Sequence, residues 1–162
     1  MILRYLIILL ILLPIKAFAV IEVDITRGNL NPLPVAVSPL SIDEKSKESF
    51  KKIIKKENIG VEISIIVENN LKQSGLFNPL NKDAFLQKPN IANLKPRFED
   101  WNLIKAQALI TGKVTFVEEK LRVEFRLWDV LAGKEIMALA FTTVPSNWRR
   151  VGHIITDKVY ER

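Results

Sequence analysis

The hydrophobic and polar positions divide the chain into a leader, a polar middle and a regular carboxy-terminal half. Met1-Ile2-Leu3-Arg4 is followed by an unbroken apolar run from Tyr5 to Leu13, then Pro14-Ile15-Lys16 and the small-x-small triplet Ala17-Phe18-Ala19. Charge, apolar run and small-residue triplet in that order predict a secretory signal peptide over 1–19, cleaved after Ala19. The competing reading is an uncleaved membrane anchor, which the run disfavours because it is shorter than the roughly 20 residues a bilayer span needs. Val20 to Thr26 then alternates, with Val23 and Ile25 set against Glu22, Asp24 and Thr26, as a strand does. The prolines and asparagines of Asn29 to Pro34 make a linker, and Val35-Ala36-Val37 fits a buried central strand.

From Ser41 to Asn58 the sequence is polar and lysine-rich. Ser41 or Asp43 can cap a helix there, with Phe50, Ile53 and Ile54 on its apolar side and Gly60 interrupting it. Helical spacing returns from Val61 to Gln73 through Ile63, Ile66, Val67 and Leu71, closed by Ser74-Gly75. Those β-branched residues lower intrinsic helicity, so tertiary packing must hold the helix. Leu76 to Leu80 reads as extended, Lys82 to Leu86 as one helical turn and Gln87 to Arg97, with Pro89 and Pro96, as a loop. Phe98 to Gln107 reads as a short helix with Trp101, Ile104 and Ala108 on one side. Three strands follow. Ala108–Val117 contains Gly112 and turns at Glu118-Glu119-Lys120. Leu121–Val130 alternates Leu121, Val123, Phe125 and Leu127 against Arg122, Glu124, Arg126 and Trp128. Ile136–Thr143 is the third. Ser146 can cap a last helix over 147–162, with Trp148, Val151, Ile154, Ile155 and Val159 as its stripe. The predicted fold class is α+β: a two-layer domain whose mixed sheet ends in an antiparallel meander, packed against two or three helices.

Composition narrows the chemistry. Removing the first 19 of 162 residues leaves 143, enough for one domain with its own core. An exported chain without cysteine has no disulfide, thiolate nucleophile or cysteine-ligated metal. The net charge of +6 falls to +4 when Arg4 and Lys16 leave with the leader. Lysine and glutamate intermix from Asp43 to Glu57, which describes a solvated face rather than a nucleic-acid patch. His153 stands alone, without metal-ligand partners at helical spacing. The neighbouring acids Glu99-Asp100 and Glu118-Glu119 do not present a carboxylate pair to one cleft. Ser38, Ser64 and Ser74 lack a nucleophile elbow, and the six glycines form no phosphate-cradling loop. Trp101, Trp128 and Trp148 read as core aromatics before they read as a ligand platform. The expectation is a non-enzymatic protein with no cofactor, no metal, no nucleic-acid partner and no small-molecule substrate.

Four stretches, in order, resemble the amino-terminal domain family of TolB, the periplasmic component of the Tol-Pal envelope system. They are Leu71-Lys72-Gln73-Ser74-Gly75-Leu76-Phe77-Asn78-Pro79-Leu80; Phe98-Glu99-Asp100-Trp101 with Gln107-Ala108-Leu109-Ile110-Thr111-Gly112-Lys113-Val114; Phe125-Arg126-Leu127-Trp128-Asp129-Val130; and Trp148 to Glu161. The resemblance implies a mobile amino-terminal strand and linker over 20–34, a TolB-like domain over 35–162, and a periplasmic role in outer-membrane integrity, cell division and protein import. It also implies docking on the carboxy-terminal domain of TolA through Val20, Ile21, Glu22, Val23, Asp24, Ile25, Thr26 and Arg27. A short alternating segment can add to a sheet edge of a partner; equally, it can pair within its own sheet. Family members continue into a six-bladed β-propeller that binds Pal. With no propeller in this sequence, binding to Pal is expected only where one is supplied separately. The alternatives are a truncated or split-gene remnant without independent activity and, last, a periplasmic small-ligand enzyme or binding protein.

Overall fold

The computed structural model describes residues 31–162. The expected signal peptide and the alternating segment Val20–Arg27 lie outside them. Strand β1 (Leu33–Val37) is followed by the two-residue β2 (Ser41–Ile42), then helices α1 (Glu44–Ile54) and α2 (Ile59–Gln73) and strand β3 (Phe77–Pro79). Two short helices, α3 (Pro89–Ala92) and α4 (Phe98–Leu103), precede the strands β4 (Ala108–Val117), β5 (Lys120–Asp129) and β6 (Lys134–Thr143), and α5 (Trp148–Tyr160) closes the described chain. The sheet runs β3-β1-β4-β5-β6, with β2 also on β4. β1 is parallel to both β3 and β4, whereas β4, β5 and β6 form the antiparallel meander. This is the mixed α+β architecture expected from the pattern.

The alternation of β5 divides the core in two. Leu121, Val123, Phe125 and Leu127 face α1, α2 and α5, in one cluster with Val35, Val37, Ile110, Phe50, Ile63, Leu71, Trp148, Val151 and Ile155. On the opposite face Trp128 and Val130 join Ala36, Leu109, Trp101 and Ala106, with Phe85 and Phe98 packed against them. The second layer is therefore complete on one face. On the other it is partial: α4 and its flanking loops pack over Leu109 and Trp128, and α3 lies against β2 and β4.

Several boundaries differ from the sequence expectation, each for a local reason. Ser41 belongs to β2, and Asp43 is the cap of α1, accepting from the Ser46 amide at 2.9 Å. Phe50 is buried, but Ile53 is 52 % exposed and belongs to the outer side of α1. Gly60 does not interrupt a helix; it is the second residue of α2, whose cap Asn58 accepts from the Val61 amide. A Cβ at residue 60 would overlap the carbonyl oxygen of Leu40, so glycine is what permits the start of α2 to touch the β1–β2 connection. Gly152 does the same for α2 and α5, since a Cβ there would lie 2.8 Å from Ile66 Cγ2. Helix α4 stops at Leu103, because Lys105 takes a left-handed φ of 62° and Ala108 already pairs in the sheet. Pro89–Ala92 forms one helical turn inside the expected loop. Ser146 does not cap α5: a 3-10 turn over Pro145–Asn147 leads into the helix, and Asn147, at the cap position, donates instead to the Thr143 hydroxyl at 3.1 Å.

Buried polar groups tie these elements together. The Ser64 hydroxyl accepts from the Leu40 amide at 3.0 Å and sits within reach of the carbonyls of Ser38 and Gly60. Ser46 accepts from the Phe116 amide at 2.8 Å, pinning α1 to β4. Gln87 accepts from the indole of Trp101 at 3.2 Å and donates to the Arg97 carbonyl and to Asp100, so the long connection between β3 and α4 is latched to its own helix.

Candidate interaction site

The structure gives the chemistry-bearing residues bland surroundings. His153 is exposed on α5, its Nδ1 2.9 Å from the side-chain nitrogen of Asn70. Glu118 and Glu119 both take left-handed backbone angles in the β4–β5 turn. Asp100 is held below the usual carboxylate range by the hydrogen bond from Gln87 and by Arg97, 2.6 Å away. It is a latch residue. The three tryptophans are each at least nine-tenths buried, as core aromatics should be. Trp148 also underlies Arg149, whose guanidinium lies 4.4 Å from the ring centroid. Among the described residues no three His, Asp or Glu side chains gather in a metal-sized group, and no helix is long and apolar enough to cross a membrane. The eight residues expected to dock, Val20 to Arg27, lie outside the described residues.

What stands out is the outer strand. Among the described residues β6 pairs only with β5, and of its ten residues Met137 alone is buried. Between Glu135 and Met137 the register with β5 shifts by one, so Ile136 is an extra residue. From Met137 onward the strand pairs regularly, with Met137, Leu139 and Phe141 opposite Leu127, Phe125 and Val123 on the helical face, and Ala138, Ala140 and Thr142 opposite Arg126, Glu124 and Arg122 on the open face. On the helical face the strand and α5 leave a hollow of about 310 Å³, lined by Phe141, Thr143, Val151 and Ile154 with Asn147 and Arg150 at its edge. On the open face Lys113 and Arg122 approach Glu124 at 3.6 and 3.0 Å, and Arg126 approaches Glu135 at 3.2 Å. Partial burial pushes Glu124 up, but those two cations more than offset it and its pKa is lowered. The sequence reading found this strand but not its place at the edge. The available signal was the run Ile136 to Thr143, eight residues without a charge, in which large side chains alternate with alanine.

The family model of the TolB amino-terminal domain matches residues 21–136. The chain belongs to the TolB amino-terminal domain family. All 162 residues are 86 % identical to the Tol-Pal system protein TolB of Pelagibacter ubique, but they span only 36 % of that relative's length. The fold is similar to the crystal structure of TolB from Acinetobacter baumannii, with a TM-score of 0.60 at 19 % identity over 80 % of this chain and 28 % of that one. It is also similar to the lipoprotein GNA1162 of Neisseria meningitidis, with a TM-score of 0.51 at 16 % identity, covering 80 % of this chain and 96 % of that one. At such identities the two structures support the fold alone.

Proposed function

We propose that this chain is a periplasmic, non-enzymatic interaction domain of the Tol-Pal system that docks on the carboxy-terminal domain of TolA through Val20 to Arg27. The 86 % identity to a Tol-Pal system protein along the entire chain carries the reading. The described residues 31–162 bring together two buried apolar clusters, one on each face of the sheet. Export by a signal peptide cleaved after Ala19 would place Val20 at the amino terminus, with the alternating segment ahead of the linker. In that position backbone hydrogen bonds to a partner's sheet edge supply affinity, and Ile21, Val23 and Ile25 supply side-chain contacts. Outer-membrane integrity, cell division and protein import are the processes such docking would serve, and Pal enters only where a propeller is present.

Calorimetric titration of residues 20–162 against the TolA domain tests this, with residues 28–162 as control. Binding by the longer chain alone is the expected result. Equal binding by both would place the contact elsewhere. No binding by either, with both folded by circular dichroism, would favour a fragment that is inert alone.

A further inference from the structure

A second hollow, of about 390 Å³, opens beside the carboxy-terminal half of α1. From its two walls we infer that two copies of this chain associate about a two-fold axis, with Lys52 of each facing Glu119 of the other. One wall is α1, through Ser49, Lys52 and Ile53; the other is the β4–β5 turn and the approach to α5, through Glu119 and Pro145. Phe116, at the end of β4, also lines the hollow. It is partly buried and meets Phe50 edge-on, with 5.3 Å between ring centroids, so the apolar floor continues the core. Ile53 extends that floor outward. It is the large apolar side chain of α1 that the fold leaves exposed.

The charges on the two walls select the occupant. Lys52 and Glu119 are both exposed and border the same hollow, yet among the described residues neither belongs to an ion pair. The lysines beside Lys52 differ in this: Lys51 lies 3.4 Å from Glu57 and Lys56 lies 2.9 Å from Glu62. Glu118 and Glu119 take φ of 48° and 59° in the two-residue turn between Val117 and Lys120, where asparagine and glycine fit with less strain. Carboxylates therefore stand at the turn at a conformational cost, opposite a lysine they do not reach. A uniformly acidic partner is repelled by Glu119, and a uniformly basic one by Lys52. What fits is an apolar centre with an acid on the Lys52 side and a base on the Glu119 side. The same patch turned through 180° is such a surface. A two-fold axis through the hollow exchanges its walls, sets Lys52 against Glu119 twice, and brings the two Ile53 side chains together over the Phe116 floors. Two exposed ion pairs and one isoleucine from each copy make a weak contact that salt loosens.

The contact uses only described residues and owes nothing to docking on TolA. Sedimentation equilibrium of the full chain, expressed from Met1 with its leader left for the host to process, should give a mass that rises with concentration toward a dimer and falls as salt is added. Lys52→Glu or Glu119→Lys places like charges at both crossings, so each alone should weaken association by at least about tenfold. Their urea midpoints should stay near wild type, because neither residue has an ion-pair partner among the described residues of its own chain. The two variants mixed in equal amounts should form a heterodimer, since every crossing is again opposite in sign, and the double variant should recover self-association. Wild type that stays monomeric up to about 1 mM overturns the inference and leaves the hollow to a different partner. Association that survives both single reversals overturns it too and locates the contact elsewhere. A mixture that remains monomeric, or masses beyond a dimer, would equally exclude the two-fold pairing of Lys52 with Glu119.

Discussion

Replacing Gly60 by alanine sets two effects of opposite sign against each other at one atom. Alanine in place of glycine favours a helix by up to about 1 kcal/mol, less near the first turn where residue 60 lies. Against this, the new Cβ would overlap the Leu40 carbonyl oxygen and lie 3.0 Å from the carbonyl carbon, where ordinary contact begins at 3.4 Å. Backbone cannot swing aside as a side chain can. Relief requires α2 to move away from the β1–β2 connection, which stretches the bond from the Leu40 amide to Ser64 at 3.0 Å. Overpacking of this kind costs about 1–3 kcal/mol, and weakening a buried hydrogen bond adds about 1 kcal/mol. The expected net result is a destabilisation of about 1–3 kcal/mol, read as a lower urea midpoint with an unchanged slope. Gly152→Ala is the control. Its nearest neighbour is the side-chain atom Ile66 Cγ2 at 2.8 Å, which can rotate, so the helix gain should offset the crowding to within about 1 kcal/mol. A Gly60→Ala protein as stable as wild type would refute the argument, since it would show that the Leu40 carbonyl gives way.

Three further outcomes follow from the buried and capping polar groups. Ser64→Ala leaves the Leu40 amide without its acceptor in a buried site and should cost about 1–3 kcal/mol in urea unfolding. Trp128→Phe removes the 2.9 Å donation to the hydroxyl of fully buried Thr111 and should cost about 1 kcal/mol, while Trp128→Phe with Thr111→Val should recover part of it. Asp43→Ala removes the cap of α1 at a cost of about 0.5–2 kcal/mol near neutral pH. The Ser46 amide holds the Asp43 pKa below its ordinary value of 3.8. Its contribution is therefore complete above that value and disappears as pH falls through the lower, folded-state value. Wild type and Asp43→Ala should converge in stability in that acid window, and parallel curves would exclude the cap as the cause.

Most of the fold was legible because its elements carry their own signals. β5 alternates without error from Leu121 to Trp128, so both faces of the sheet could be assigned before any pairing was known. The α5 stripe of Trp148, Val151, Ile155 and Val159 is buried as helical spacing requires. Misreadings fell where a distant atom decides. Gly60 looks like a helix breaker from its neighbours, and only the Leu40 carbonyl, twenty residues earlier, makes it a helical residue. Ile53 sits beside Ile54 in sequence, but Phe50 fills the site over Phe116, with ring centroids 5.3 Å apart, and Ile53 is turned outward. The β3-β1-β4 order was invisible because parallel pairing across long connections leaves no local trace.

The proposed docking segment and the β6 edge were unequally legible for the same physical reason. A donor strand carries its whole signature in sequence, because alternation must be present before pairing occurs. An acceptor edge does not, since the same eight uncharged residues would serve equally as a central strand buried on both sides. Only the sheet order, which leaves β6 with β5 as its one neighbour among the described strands, turns that run into exposed hydrogen-bonding groups.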